Sequence, residues 1–235
     1  TDDHRAGLYI FGQNRHRSGY DYDGDGFTEL PKLKNQTVGF RSYLKTSTYS
    51  KLTFEYHHMQ EFRRGGDMLD RPPHEAHIAE QLQHSIDCGS LKYDYFSPNE
   101  KNRLSVFASA ANTDRDSYYG PGNDPLKAYG KTTDLTAMGG VQYVHTFDKC
   151  LFMPSDLTAG LEYNRDRLKD NMWGYDRHTD QTVKVYSAFL QNEWKNKHWG
   201  ILIGGRLDKH NMVDDVIFSP RANLRFNPTD NINLR

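Results

Sequence analysis

The densest chemistry in the chain lies in Asp21-Tyr22-Asp23-Gly24-Asp25-Gly26-Phe27-Thr28-Glu29. Carboxylates at every second position, followed by a glycine that permits a sharp turn, can wrap hard oxygen donors around calcium, with the Phe27 carbonyl completing one side. Magnesium suits the pattern less, because it prefers to keep several waters. The series follows an EF-hand loop through its first positions, Gly26 included. It then departs, since the twelfth position is Lys32 and the nearest late carboxylate is Glu29, and no flanking helices are indicated. The expectation is a calcium-bound turn built from Asp21, Asp23, Asp25, Phe27 and Glu29. The plainer reading is a solvated turn rich in Asp and Gly.

Other groups carry weaker signals. His74, His77 and His84, with Glu75 and Glu80, follow Pro72-Pro73 in a stretch that fits one short helix. Such a group can bind a transition metal or haem, although surface histidines on a loop helix are the commoner case. Tyr118, Tyr119, Tyr129, Trp173 and Tyr175 fall in expected outward loops, where they would either stack on a flat or macrocyclic cargo or pack the loops on one another. Arg15, Arg17, Arg63, Arg64, Arg115 and Arg177 would attract an anionic cargo, or simply be solvated. Cys88 and Cys150 are far apart without metal-type spacing, and fit one disulfide or two free thiols. No Gly-rich phosphate loop, nucleophile elbow or convergent carboxylate pair is present, so an enzyme is not expected.

The elements that must position these residues are strands. Leu52, Phe54 and Tyr56 stand against Lys51, Thr53, Glu55 and His57. Leu157, Ala159, Leu161 and Tyr163 stand against Thr158, Gly160, Glu162 and Asn164. Ile201, Ile203, Gly205 and Leu207 alternate with Gly200, Leu202, Gly204, Arg206 and Asp208. Such period-two segments of about ten residues have the length a tilted strand needs to cross a bilayer. Facing is ambiguous over Thr136 to His145 and Val183 to Trp194. Hydrophobic residues make up 36% and aromatics 13% of 235 residues. That balance suits a sheet wet on one face and lipid-covered on the other better than a closed soluble core. The mean hydropathy of −0.87 does not oppose this, because alternation averages out in any window. No run is long enough for a transmembrane helix, and the first residues do not read as a signal peptide, as expected of a mature or excised segment. Lys and Arg are dispersed at a net charge of −1, which gives a nucleic-acid partner no electrostatic support.

Connections alternate between long and short: 15–36, 64–85, 113–132 and 167–181 are long, and 45–51, 97–101, 148–156 and 196–198 are shorter. In an up-and-down sheet every second connection lies on one rim, so one rim carries the elaborate loops, as in outer-membrane barrels. About eleven strands are expected. Eleven is odd, so the segment should not close by itself.

Phe189-Leu190-Gln191-Asn192-Glu193-Trp194, Gly204-Gly205-Arg206-Leu207-Asp208, and Ser219-Pro220-Arg221-Ala222-Asn223-Leu224 with Asn227-Pro228 resemble, in order and spacing, strands of TonB-dependent outer-membrane receptors of Bacteroides-like bacteria. The resemblance covers essentially the whole chain. It implies an all-β fold, an antiparallel up-and-down transmembrane β-barrel that is partial, about half of a 22-stranded barrel. Residues 1–235 would be wall and extracellular loops, with the plug domain and C-terminal strands outside the segment. It implies the outer membrane of a Gram-negative bacterium, outer-membrane lipid around the wall, TonB and the plug as partners, and import of a small metal chelate, an iron siderophore or cobalamin. Relatives that carry cobalamin hold calcium with loop aspartates, a role that would fall here to Asp21, Asp23 and Asp25. Two rivals differ in kind: a soluble calcium-dependent glycan-binding β-protein, which would bury its apolar stripes against a second sheet, and a passive porin-like channel.

Overall fold

The computed structural model describes residues 4–120, 128–229 and 232–234. Eleven antiparallel strands form one sheet in sequence order: β1 (Ala6–Arg17), β2 (Thr28–Ser47), β3 (Ser50–Gly66), β4 (Ala79–Phe96), β5 (Asn102–Gly120), β6 (Tyr129–Cys150), β7 (Met153–Met172), β8 (Arg177–Lys195), β9 (Trp199–His210), β10 (Val216–Thr229) and β11 (Ile232–Leu234). Each strand pairs with its neighbour in the chain, and β1 and β11 are the two edges, so the sheet is open.

Register decides the facing, because residues directly opposed across an antiparallel pair lie on the same side of the sheet. One row crosses ten strands without a break in character: Ala6, Leu44, Leu52, Tyr93, Val106, Val141, Leu161, Ala188, Leu207 and Phe218. This apolar side is uncovered, with Leu161 59% and Ile203 56% exposed. Among the described residues there is no second sheet to bury it, contrary to what a soluble glycan-binding protein requires. The same ladder settles the two ambiguous strands. Leu135, Ala137, Val141 and Tyr143 of β6, and Tyr186, Ala188, Leu190 and Trp194 of β8, belong to the apolar side.

The opposite side is polar and charge-paired. Arg206 reaches Glu162 at 2.7 Å and Asp208 at 2.8 Å, Lys92 meets Asp94 at 2.9 Å, and Lys195 meets Asp156 at 2.6 Å. A wet lumen and an oily exterior therefore share each strand.

Alternation of the connections holds, but their lengths need correction. Residues 48–49, 97–101, 151–152 and 196–198 lie on one rim, while 18–27, 67–78, 173–176 and 211–215 lie on the other, the side of the β5–β6 connection. Strands β2 to β8 run 17 to 22 residues rather than about ten. Residues 113–120, 129–132, 167–172 and 177–181, expected in loops, are paired in the ladder. Backbone hydrogen bonding does not need an apolar face, so pairing continues past the lipid-facing stretch into polar sequence. Cys88 in β4 and Cys150 at the end of β6 are both free thiols.

Candidate functional site

The acidic turn joins β1 to β2. Oxygens of Asp21, Asp23, Asp25 and Glu29 lie within 4.8 Å of one another. Asp21 is fixed by the backbone, since its two oxygens accept the Gly24 and Gly26 N–H groups at 2.7 and 2.8 Å. The N–H of Phe27 donates to Asp25 at 2.8 Å, and the N–H of Tyr22 to Glu29 at 2.7 Å. Gly24 and Gly26 sit at φ +76° and +87°, which glycine adopts without a Cβ penalty. The donor set is all oxygen and highly anionic, which fits calcium. At its base Thr28 Oγ1 accepts the Gly66 N–H and donates to the Gly66 carbonyl, both at 3.1 Å, which ties the turn to the end of β3.

The histidines do not converge. The predicted helix is a single 3₁₀ turn, Pro73–Glu75. His74 Nδ1 lies 2.9 Å from the Tyr129 hydroxyl, His77 Nδ1 lies 2.6 Å from Asp67, and His84 is in β4, 3.9 Å from Glu61. Three separate partners leave no shared metal position. Glu75 closes the turn and Glu80 stands in β4.

The aromatic set divides in two. Tyr118 and Tyr129 are opposed in the β5–β6 ladder rather than on loops, and their register places them on the same side as the apolar row, away from the lumen. Tyr118 is fully buried, with Ala76, Ala79 and Ala128 around it and the Tyr129 ring edge-on at 4.9 Å. Residues 67–78 fold over this pair. Arg64, 1% exposed, holds the start of that loop through the carbonyls of Gly65 at 2.5 Å and Asp67 at 3.1 Å. Asp67 clamps its far end by accepting the Ile78 N–H at 3.1 Å. Burial opposes charge on Asp67, but the Ile78 N–H and the His77 ring outweigh it, so its pKa lies below the ordinary 3.8.

Tyr119, by contrast, has lumen-side register at the rim. Its carbonyl accepts the Tyr175 hydroxyl at 3.2 Å, and Trp173 and Tyr175 are exposed in the 3₁₀ turn Trp173–Tyr175. Below them on the same side is a network that the sequence did not reveal. Asp170 accepts Thr132 Oγ1 at 2.6 Å and Arg177 at 2.7 Å, and lies 3.5 Å from Arg115. Arg115 also donates to Thr132 at 2.8 Å. Two guanidinium groups thus share one carboxylate. Their partners are 38 or more residues apart or on separate strands, so only the register brings them together. Of the remaining arginines, Arg63 pairs with Glu61 at 2.8 Å and Arg17 donates to the Pro31 carbonyl at 3.1 Å, while Arg15 is exposed in β1.

A single sheet with one oily and one wet side, and its elaborate connections on one rim, is the wall of a membrane-spanning β-barrel. The chain belongs to the TonB-dependent receptor family: residues 1–235 match the family described as TonB dependent receptor-like, beta-barrel. These are receptors of the Gram-negative outer membrane, and not enzymes. No curated protein is significantly similar in sequence. Among solved structures the chain is similar to the siderophore receptor PirA from Pseudomonas aeruginosa (11% identity, TM-score 0.71, 95% of this chain and 34% of that one). It is also similar to a mutant of the ferric enterobactin receptor PfeA from Pseudomonas aeruginosa (15%, 0.75, 98% and 38%) and to the ferric-catecholate import receptor Fiu from K12 E. coli (10%, 0.65, 97% and 45%). The chain spans less than half the length of these proteins, and the likeness is one of fold.

Proposed function

We propose that this sheet is part of the wall and outer rim of a receptor that captures a scarce metal chelate and passes it inward. An iron siderophore is the first choice of cargo and cobalamin the second. Other strands and a plug domain of the same receptor complete the barrel, and TonB drives release into the periplasm. The observation that carries the reading is the lumen-side network in which Arg115 and Arg177 share Asp170 beneath Tyr119, Trp173 and Tyr175. Arg115 and Arg177, set among Asp170 and Glu80, offer charge-assisted donors beneath aromatic faces, which suits an anionic, aromatic-rich ferric chelate better than a neutral one. The solved structures of similar fold are receptors for siderophores, ferric enterobactin and ferric catecholates, which supports the same choice. Calcium held by Asp21, Asp23, Asp25, Glu29 and the Phe27 carbonyl orders the rim next to β3.

The test is cargo binding to the intact receptor by isothermal titration, with a ferric catecholate siderophore or cyanocobalamin, with and without chelator. Arg177→Gln is expected to weaken the ferric chelate by roughly tenfold, the loss of one charge-assisted contact. Tighter binding of cyanocobalamin than of the ferric chelate overturns the order of cargoes. If Asp21→Asn with Asp23→Asn leaves both calcium binding and cargo affinity unchanged, the calcium assignment is wrong.

A further inference from the structure

On the apolar side, just toward the long-loop rim from the lipid-facing residues, the ladder sets like charges against each other. Arg165 of β7 is directly opposite Lys184 of β8, and Arg167 is the next residue on that side of β7. Like charges in directly opposed positions destabilise a sheet. Nearby cations on the same side have found partners: Lys169 lies 3.6 Å from Asp180, and Lys209 donates to the carbonyls of Val213 and Asp214 at 3.2 and 2.5 Å. Among the described residues Arg165, Arg167 and Lys184 form no ion pair, and the Nε of Arg165 is buried without a hydrogen-bond partner. A fold that places three unneutralised cations side by side implies an anion from elsewhere.

What lies beneath them names its chemistry. One position nearer the membrane, Tyr163 and Tyr186 are opposed, with ring centroids 4.9 Å apart, the amphipathic belt expected at a bilayer interface. Below the belt runs an open apolar groove of about 660 Å³, lined by Val141, Leu161, Tyr163, Tyr186, Ala188 and Leu207. Gly139, Gly140 and Ala188 are the smallest residues of its lining, which also includes Lys209 and Val216. Cations above an aromatic belt above an apolar groove match a phosphate headgroup above an acyl chain.

We infer that Arg165, Arg167 and Lys184 with the groove beneath them bind a membrane lipid with a phosphorylated headgroup from the outer leaflet, its phosphate on the cations and one acyl chain in the groove. The site faces away from the lumen. It depends on how the barrel sits in the membrane and not on the cargo, so it stands or falls separately from the import reading.

The test uses the intact receptor in phosphatidylcholine nanodiscs, with or without a bisphosphorylated lipid, and counts retained lipid by native mass spectrometry. Arg165→Gln and Lys184→Gln are each expected to weaken retention of the phosphorylated lipid about fivefold at low salt, with phosphatidylcholine unaffected. Ala188→Phe, which fills the groove and leaves the charges in place, should weaken it too. In phosphatidylcholine alone, Lys184→Gln should melt no lower than the parent, because it removes a repulsion; a merely structural lysine would lower the melting temperature there. Undiminished retention in the charge variants overturns the site. So does displacement of the lipid by inorganic phosphate at equal concentration, which would mean that the cations bind phosphate without the acyl groove.

Discussion

Replacing Ile203 by arginine puts the facing of the whole wall to the test. On β9 the apolar side runs from Trp199 to Leu207, eight rises of about 3.3 Å, or about 26 Å along the strand. At a strand tilt of about 40° this is about 20 Å along the membrane normal, close to the roughly 25 Å apolar band of outer-membrane barrels. Ile203 is its midpoint and 56% exposed, with Asn192 and Ala222 opposite it and no carboxylate in the pairing. An arginine at that depth costs about 2–4 kcal/mol. Asn223→Arg is the control: it sits next to Ala222 on β10, opposed to Leu202 on the wet side, and should cost under about 1 kcal/mol. Equilibrium urea unfolding of the intact receptor in phospholipid vesicles measures both. Equal costs for the two variants, or a cost under about 1 kcal/mol for Ile203→Arg, would refute the facing derived from the register.

Four further outcomes concern the rim. Asp67→Ala removes the charged acceptor of the Ile78 N–H and should lower the free energy of local opening at residues 67–78 by about 2 kcal/mol, read as faster hydrogen exchange of the Ile78 amide. Because the folded Asp67 pKa lies below its ordinary 3.8, this protection is present above that value and is lost as pH falls through the lower folded one. Acid below about pH 4 should therefore open the loop in the parent protein, while Asp67→Asn shows no such step. Gly66→Ala meets the Ile78 carbonyl and the Ala79 backbone at φ +99°, and should cost at least about 2 kcal/mol in the same unfolding assay. Tyr118→Ala empties a fully buried site and should cost about 3–5 kcal/mol; a loss under about 1 kcal/mol would mean that the ring is exposed on the outer surface and carries no packing.

Much of the wall was legible because period-two alternation is a local signal. Leu52, Phe54 and Tyr56, or Ile201, Ile203 and Leu207, declare a face within a few residues. Where small or mixed residues intervene, as at Ala137-Met138-Gly139-Gly140, alternation fades and only the partners Arg165, Asn164, Tyr163 and Glu162 settle the side. The strand ends were read as loops for the same reason. Residues 113–120 and 167–172 carry Asp, Arg, Lys and Asn on both sides, so nothing local distinguishes them from solvated turns, yet the ladder continues through them. Once these residues are paired, side chains distant in sequence become neighbours, as Thr132, Asp170 and Arg177 do. The acidic turn shows the reverse case. Its carboxylates converge within nine residues, so their spacing in the sequence already brought them together.

The continuation of the ladder beyond the membrane changes what the rim can do. Long flexible loops would have to be ordered by the cargo they bind, at an entropic cost for every residue fixed. Here β5 to β8 carry their pairing up to Gly120, Tyr129, Met172 and Arg177, so Tyr119 and the Arg115–Asp170–Arg177 group stand on a stiff palisade, and among the described residues of these four strands the short Trp173–Tyr175 turn is what is left to adjust. The palisade is held from outside as well, where residues 67–78 seal Tyr118 and Tyr129 against its back and Thr28 joins the acidic turn to Gly66. Calcium at Asp21, Asp23 and Asp25 would then act at one end of a braced wall rather than on an isolated loop. Chelation is accordingly expected to loosen β2 and β3 near Thr28 and Gly66 before it reaches the arginine group on β5 to β8. Hydrogen exchange resolved along the rim, with and without chelator, reports that order; simultaneous loosening of both ends would mean that the rim moves as one unit and that bracing by separate contacts is the wrong description.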